Sequence, residues 1–321
     1  MDKDIKTQLS SIEDTDEVQS AVEQNRPHRL RRRLIFIAVL VAVLGGLSVI
    51  TYPRIATNTN GVLYPYIYGY TWLADDSLDA LIVGDSSSQC AIAPQVMNEI
   101  TGISAYNSSS PYQSMATSAE LTTEVFSTQS PKVIILEVNN LFKDTSTDKA
   151  VETLAGQLLP VLRYHNNWKK IVSGTMESGG PELTADLGYY PKYEVNAYTG
   201  GDYMAATTSG ASLSFWAKTY LEWMQQVCAE HGATLVLISV PNASEWNDAK
   251  HDAVADYANE NGITYLDFNT SEYDTGFDWS TDTRDGGGHL NISGATKIST
   301  WLARWLAENE GIGTISDTQS S

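Results

Sequence analysis

The chain is poor in cysteine, in positive charge and in histidine. Its 321 residues include two cysteines, Cys90 and Cys228. Two cysteines exclude the disulfide framework that staples small secreted domains, and two separate buried thiols are expected instead. Twenty Lys and Arg stand against 39 Asp and Glu, a formal net charge of −19. So acidic a chain argues against nucleic acid as a partner and against docking on anionic lipid. No cluster of His, Cys and carboxylate residues has ligand spacing, so no metal and no cofactor is implied. No internal repeat is present. The sequence also lacks G-x-S-x-G, and with it the nucleophile elbow of an α/β-hydrolase.

One long apolar run is present. Leu34 to Ile50 is uncharged over 17 residues, continued by Thr51 and Tyr52 and stopped by Pro53. About 20 apolar residues span a bilayer. Arg26, Arg29, Arg31, Arg32 and Arg33 stand just before the run and only Arg54 lies close after it. The positive-inside rule then predicts a cytoplasmic N-terminus and an extracellular C-terminal part. A cleaved signal peptide is the rival reading, but the preceding region is long and no A-x-A site follows. Seven acids and seven basic residues balance before the run, which leaves 32 acids against 13 Lys and Arg outside. The expected order is a cytoplasmic tail (1–33), a transmembrane anchor (34–52), an aromatic stem (53–79), an α/β domain (80–310) and a polar, disordered tail (311–321).

Beyond residue 80, buried apolar runs alternate with helical patterns. Strands are predicted at 80–84, 104–107, 132–138, 233–240 and 263–268. Helices are predicted at 94–101, 113–128, 213–231 and 248–261, with a last one capped by Ser293 and running to about Glu310. This alternation predicts a three-layer αβα fold with a mostly parallel sheet, whose ligands bind beyond the carboxyl ends of the strands. Residues 142–210 break the pattern and read as an insertion at that edge: a lid, a platform for a substrate chain, or a structural subdomain. It holds Arg163-Tyr164-His165-Asn166-Asn167-Trp168 and Gly188-Tyr189-Tyr190-Pro191.

Two short segments carry chemistry. Leu81-Ile82-Val83-Gly84-Asp85-Ser86-Ser87-Ser88 reads as a buried strand ending in a serine-bearing turn. Asp285-Gly286-Gly287-Gly288-His289-Leu290-Asn291 puts an acid and a histidine on one flexible loop before a helix. A nucleophile, a base and an acid to orient the base are what acyl transfer requires. Ser86 follows a buried strand and would project at the sheet edge; Ser87 and Ser88 are alternatives in the same turn. His289 is the best base by elimination. His28 precedes the apolar run, His165 lies in the insertion, His231 ends a helix, and His251 falls on a predicted surface helix. Cys90, four residues after Ser86, has no histidine adjacent in sequence.

These features resemble the SGNH (GDSL) hydrolase superfamily over most of residues 80–310. Gly84-Asp85-Ser86 looks like its first block, with Ser86 as nucleophile. In Leu136-Glu137-Val138-Asn139-Asn140, Asn139 falls where the third block places its oxyanion asparagine. His289 falls at the histidine of the last block. Leu290-Asn291 with Gly294-Ala295, Tyr106-Asn107 before Gln113-Ser114, Pro131-Lys132, and Pro241 to Trp246 suit the membrane-anchored branch. That branch includes proteins like the D-alanine-transfer protein of teichoic acid synthesis and the alginate O-acetyltransferases.

The resemblance implies a flavodoxin-like SGNH fold and a Ser86–His289–Asp285 site. It also implies an extracytoplasmic O-acyl esterase or acyltransferase, acting on an acylated or acetylated surface polysaccharide beside a membrane-bound O-acyltransferase. Two departures stand out. The family's acid usually stands three residues before the histidine, where this chain has Gly286. Asp285 is one residue further back, in a glycine run that can absorb the difference, and Asp282 is the fallback. No glycine occurs in Asn107-Ser108-Ser109-Ser110-Pro111-Tyr112, where the family's oxyanion glycine is expected. The expected oxyanion donors are therefore the Ser86 N–H, the Asn139 amide and a backbone N–H of Tyr112 or Ser110. The departures keep open a different class: a catalytically silent, SGNH-like polysaccharide-binding or scaffold protein.

Overall fold

A computed structural model describes residues 30–51, 64–143, 159, 161, 167–173, 182–205 and 210–315. The expectations for the N-terminal tail up to residue 29, for residues 53–63 of the stem, for Tyr164 and His165 and for residues 316–321 lie outside them.

The chain divides into two compact units, 1–52 with 155–175, and 53–154 with 176–321. In the first, α1 (Leu30–Thr51) is 22 residues long and has a mean hydropathy of 2.8, long and apolar enough to cross a membrane. It begins four residues before the apolar run. Within the same unit the Val161 N–H donates to Ser48 Oγ of α1 (3.1 Å), and a short α5 spans Asn167–Val172. The stretch read as one insertion is thus divided between the units.

The second unit is built on five strands: β1 (Ala80–Val83), β2 (Ala105–Asn107), β3 (Val133–Glu137), β4 (Thr234–Ser239) and β5 (Thr264–Asp267). They pair in the order β2-β1-β3-β4-β5, all parallel. The period of two along each strand separates two cores. Leu81, Val83, Ile134, Leu136, Leu235 and Leu237 face one side, with Leu121 of α4 (Met115–Glu124), Leu221 of α6 (Phe215–His231) and Val254 of α7 (Asp248–Asn261). Ala80, Ile82, Val133, Ile135, Val236 and Ile238 face the other, with Met97 of α3 (Pro94–Thr101) and Ile298, Leu302 and Leu306 of α8 (Ile292–Asn309). Each fully buried aliphatic side chain contributes about 1.5–3 kcal/mol of transfer free energy, so the strands need apolar residues on both faces. The result is a three-layer αβα sandwich.

Local signals end the elements. Gly232 (φ 70°) and Gly262 (φ 65°) close α6 and α7 in the left-handed conformation that glycine adopts without a Cβ penalty. Two expectations are corrected. Ser86 does not sit in a turn but opens a six-residue helix, α2 (Ser86–Ala91), because Asp85 caps it by accepting from the Ser87 N–H (2.8 Å). The last helix is capped by Asn291 and not by Ser293. Asn291 Oδ1 accepts from the Ser293 and Gly294 N–H groups (3.0 and 3.2 Å), so Ser293 lies inside the first turn.

Strand order reverses direction between β1 and β3. In open parallel sheets the crevice outside the carboxyl ends at such a point is where ligands bind. Gly84–Ser86 leaves β1 there, and Asn139 follows β3.

Candidate active site

Gly84 lets the chain turn off β1 at close quarters. A Cβ on it would lie 2.4 Å from Ser88 Oγ and 2.8 Å from Glu137 Cβ, so only glycine fits. Ser88 is buried and its Oγ donates to Ser109 Oγ (2.8 Å); Ser87 is buried and its Oγ accepts from Asn242 Nδ2 (3.2 Å). Of the three serines, Ser86 meets the histidine, with its Oγ 2.9 Å from His289 Nε2.

The other ring nitrogen of His289, Nδ1, lies 2.6 Å from Asp285 Oδ2. Asp285 Oδ1 accepts from the His289 N–H (2.8 Å) and the Gly288 N–H (3.0 Å). The extra residue is taken up by Gly286 (φ 83°) and Gly287 (φ 113°), backbone conformations that side-chain-bearing residues rarely adopt. Burial pushes the Asp285 carboxyl up, but hydrogen bonds from the His289 ring and backbone outweigh it and hold the acid below its ordinary value. An ionised Asp285 makes Nδ1 the protonated nitrogen and leaves Nε2 free to accept from Ser86. Asp282, the fallback acid, is engaged elsewhere: Lys297 Nζ (2.7 Å), Ser293 Oγ (2.7 Å) and the Asp278 N–H (2.8 Å) surround its carboxylate.

The loop is held from outside. An extended segment of the expected insertion runs across it. Asn196 donates from its N–H to Thr283 O (2.9 Å) and accepts from the Gly286 N–H (3.1 Å), and the Ile292 N–H donates to Lys192 O (2.7 Å). Tyr198 packs against Gly287, where a Cβ would come within 2.8 Å of its ring.

The oxyanion side departs from expectation. The Ser110 N–H donates to Gly84 O (3.4 Å), which removes it as a donor. Tyr112 sits at φ 56° in a surface turn with its ring exposed. Asn139 is buried after β3 as expected, but its amide is not directed at an empty site. Nδ2 donates to Asp85 Oδ2 (3.3 Å) and to Glu245 Oε2. Lys143 joins the same group, with Nζ 2.8 Å from Asp85 Oδ2 and paired with Glu245. Burial alone would lower the Lys143 ammonium, but the two carboxylates raise it above its ordinary value. Beneath them Glu137 is fully buried; burial first, and the Asp85 charge second, drive its carboxyl well above the usual range. Its Oε1 accepts from the Asn139 N–H (3.2 Å).

Asp85, Glu137, Lys143 and Glu245 were not assigned roles from sequence. The signal was their position: each lies at or just past the carboxyl end of β1, β3 or β4. Beside them opens a cleft of about 560 Å³ lined by Lys143, Tyr203, Ser244, Glu245, Trp246 and Lys250, among others. Cys90 and Cys228 are free and buried, and burial pushes the Cys90 thiol up to about 11, an inert state for a nucleophile. Among the described residues no group of three or more His, Cys, Asp or Glu is placed to hold a metal ion.

Sheet and site together define an α/β protein with a serine, a histidine and an acid joined at the carboxyl edge of a parallel sheet. No protein-family model matches the chain, and no curated protein matches its sequence. Solved structures similar to it include a protein described as lipolytic and of the G-D-S-L family from Desulfitobacterium hafniense, at 12% identity and TM-score 0.37, covering 70% of this chain and 98% of that one. An acetylxylan esterase from Geobacillus stearothermophilus, in a catalytic-mutant form, is 12% identical at TM-score 0.35, covering 76% and 98%. A GDSL-like lipase from Bacteroides thetaiotaomicron is 9% identical at TM-score 0.33, covering 76% and 98%. Likeness at this level decides nothing about activity, which has to be read from the residues.

Proposed function

We propose that the protein is a serine-dependent O-acyl esterase or acyltransferase, held by α1 on the outer face of a membrane and acting on an acylated surface glycan. The observation that carries the reading is the continuous relay Ser86 Oγ–His289 Nε2 (2.9 Å) and His289 Nδ1–Asp285 (2.6 Å). Both distances lie in the range a nucleophile–base–orienter set requires. Ser86 Oγ attacks the acyl carbonyl carbon while His289 Nε2 takes its proton, and Asp285 stabilises the imidazolium. The C–O bond to the alcohol breaks, and His289 returns the proton to the leaving oxygen. Water or an acceptor hydroxyl then removes the acyl group from Ser86. The Ser86 N–H serves the oxyanion, joined by the Asn139 amide once it is released from the carboxylates that hold it, and loss of one such donor typically costs about 10²–10³ in rate.

The glycan and a multi-span acyltransferase partner follow from the sequence resemblance. The outward orientation follows from the arginines before the apolar run Leu34–Ile50. A second reading, a catalytically silent polysaccharide-binding or scaffold protein, is favoured by one observation: the Asn139 amide is held by two carboxylates.

The test is turnover of p-nitrophenyl acetate and labelling by a fluorophosphonate with the full-length protein in detergent. Both are expected in the wild type, with turnover reduced on the order of 10⁴-fold or more in Ser86→Ala. Labelling and turnover that survive this substitution overturn the assignment. Comparing surface glycans from cells carrying either form then names the acyl group.

A further inference from the structure

The Asn139 amide, the side-chain donor expected for the carbonyl oxygen, is taken up by the chain itself. Both donor contacts of the Asn139 amide run to carboxylates, Asp85 Oδ2 (3.3 Å) and Glu245 Oε2. Its Oδ1 is buried without a partner among the described residues, so the side chain is held through its N–H groups. Lys143 Nζ pairs with the same two acids. One oxygen of Glu245 therefore lies where an amide and an ammonium converge, the donor set that an oxyanion or a ligand carboxylate would take.

The two acids differ in permanence. Asp85 is buried, caps α2 and keeps its contact with Lys143. Glu245 reaches in from solvent, its side chain 43% exposed, from the loop after β4. Asn242 Oδ1 anchors that loop by accepting from the Ser244 and Glu245 N–H groups (3.1 and 3.0 Å), so a rotation of the Glu245 side chain alone withdraws the carboxylate. The open cleft of about 560 Å³ that it lines gives the side chain somewhere to go. Burial pushes the Glu245 carboxyl up, but hydrogen bonds from Lys143 and Asn139 outweigh this and hold it below its ordinary value, so the group is an anion at neutral pH.

We propose that Glu245 is a gate: its carboxylate occupies an anion site formed by Asn139 and Lys143 in the resting protein, and swings into the cleft when an acyl oxyanion or a ligand carboxylate takes its place. The proposal rests on the serine-acyl reading above. It accounts for the tied amide without a silent site, because one charge-assisted hydrogen bond exchanges for another while Lys143 retains Asp85.

The experiment compares the full-length wild type with Glu245→Ala, Glu245→Gln and Glu245→Asp in p-nitrophenyl acetate turnover and fluorophosphonate labelling. Removing the competing anion is expected to raise kcat/KM about tenfold in Glu245→Ala, the scale of one hydrogen bond to a charged group, and less in Glu245→Gln. The gain is expected to vanish when Asn139→Ala is added. Glu245→Asp keeps a charge for Lys143 but draws it back from Asn139, so it carries the test if the alanine protein fails to fold; a gain is expected there too. Ser86-dependent turnover in the wild type that is unchanged or lower in the Glu245 variants overturns the gate alone. Absence of Ser86-dependent turnover in the wild type and every folded Glu245 variant overturns the gate together with the catalytic reading.

Discussion

His289 and His251 each set Nδ1 against an aspartate oxygen, 2.6 Å from Asp285 and 2.7 Å from Asp267. Around these two pairs the molecule does opposite things. Asp267 is buried at the end of β5 and accepts from Trp246 Nε1 (2.9 Å), Tyr265 OH (3.0 Å) and the Asn269 N–H (2.9 Å) as well as from His251. That crowd ties α7 to the sheet. Asp285 is partly exposed on a glycine loop; among the described residues its hydrogen bonds come from Gly288 and His289 of the loop's own turn, with Arg284 Nε 3.8 Å away. Among the described residues no serine or cysteine is hydrogen-bonded to His251, whereas Ser86 stands 2.9 Å from His289. A histidine–aspartate pair is therefore no signature of catalysis; what distinguishes the pairs is the nucleophile at the second ring nitrogen and the acid's freedom from other work.

The largest expected effect separates the pairs directly. Asp285→Asn should lower kcat/KM for the acetyl ester by roughly 10⁴-fold, because an amide no longer fixes the imidazole tautomer. Asp267→Asn should change the rate only a few-fold and lower unfolding free energy by about 1–3 kcal/mol, as buried donors lose a charged acceptor. Equal rate losses in the two variants, measured beside urea unfolding, would erase the distinction.

A smaller effect probes the loop. Gly287→Ala forces a Cβ against the Tyr198 ring at a φ of 113°, and the shifted His289 should cost about 10²-fold in kcat/KM, since misplacements near 1 Å cost that much. Unchanged kinetics would show that the glycine run does not set the site's geometry.

The smallest effect concerns pH. The hydrogen bond to Asp267 comes first in raising His251 above its ordinary 6.5, against burial, which lowers it. The folded state thus binds the proton more tightly than the unfolded one. That stabilisation is fully present below pH 6.5 and is lost as pH rises through the higher folded value. The difference in thermal midpoint between wild type and His251→Gln should accordingly be larger at pH 5.5 than at pH 9. A difference independent of pH would reduce His251 to a packing residue.

Much of this was legible in the chain. Five strands and their helices could be placed because buried parallel strands need apolar residues on both faces, and Ser86 and His289 followed from lying beyond strand ends. Asp285 was legible as a candidate but not as a partner, since only the conformations of Gly286 and Gly287 bring a residue four positions away back to the ring. The helical start at Ser86 turned on whether Asp85 caps Ser87, and the last cap fell two residues before the serine that local preference favoured. Nothing in sequence tied Asn139 to Glu245, 106 residues away. His251 likewise read as a surface residue because its partner lies on a strand.

The sequence by itself determined the periodicities, the apolar run of α1, and which groups able to do chemistry stand at the carboxyl edge. These depend on burial and local conformation, which act residue by residue. Tertiary structure alone decided which of those groups meet. A hydrogen bond is made or lost within about half an ångström. Only the register of β1, β3 and β4 and the course of the loops beyond them place Ser86 against His289, and Asn139 and Lys143 against Glu245, within that tolerance.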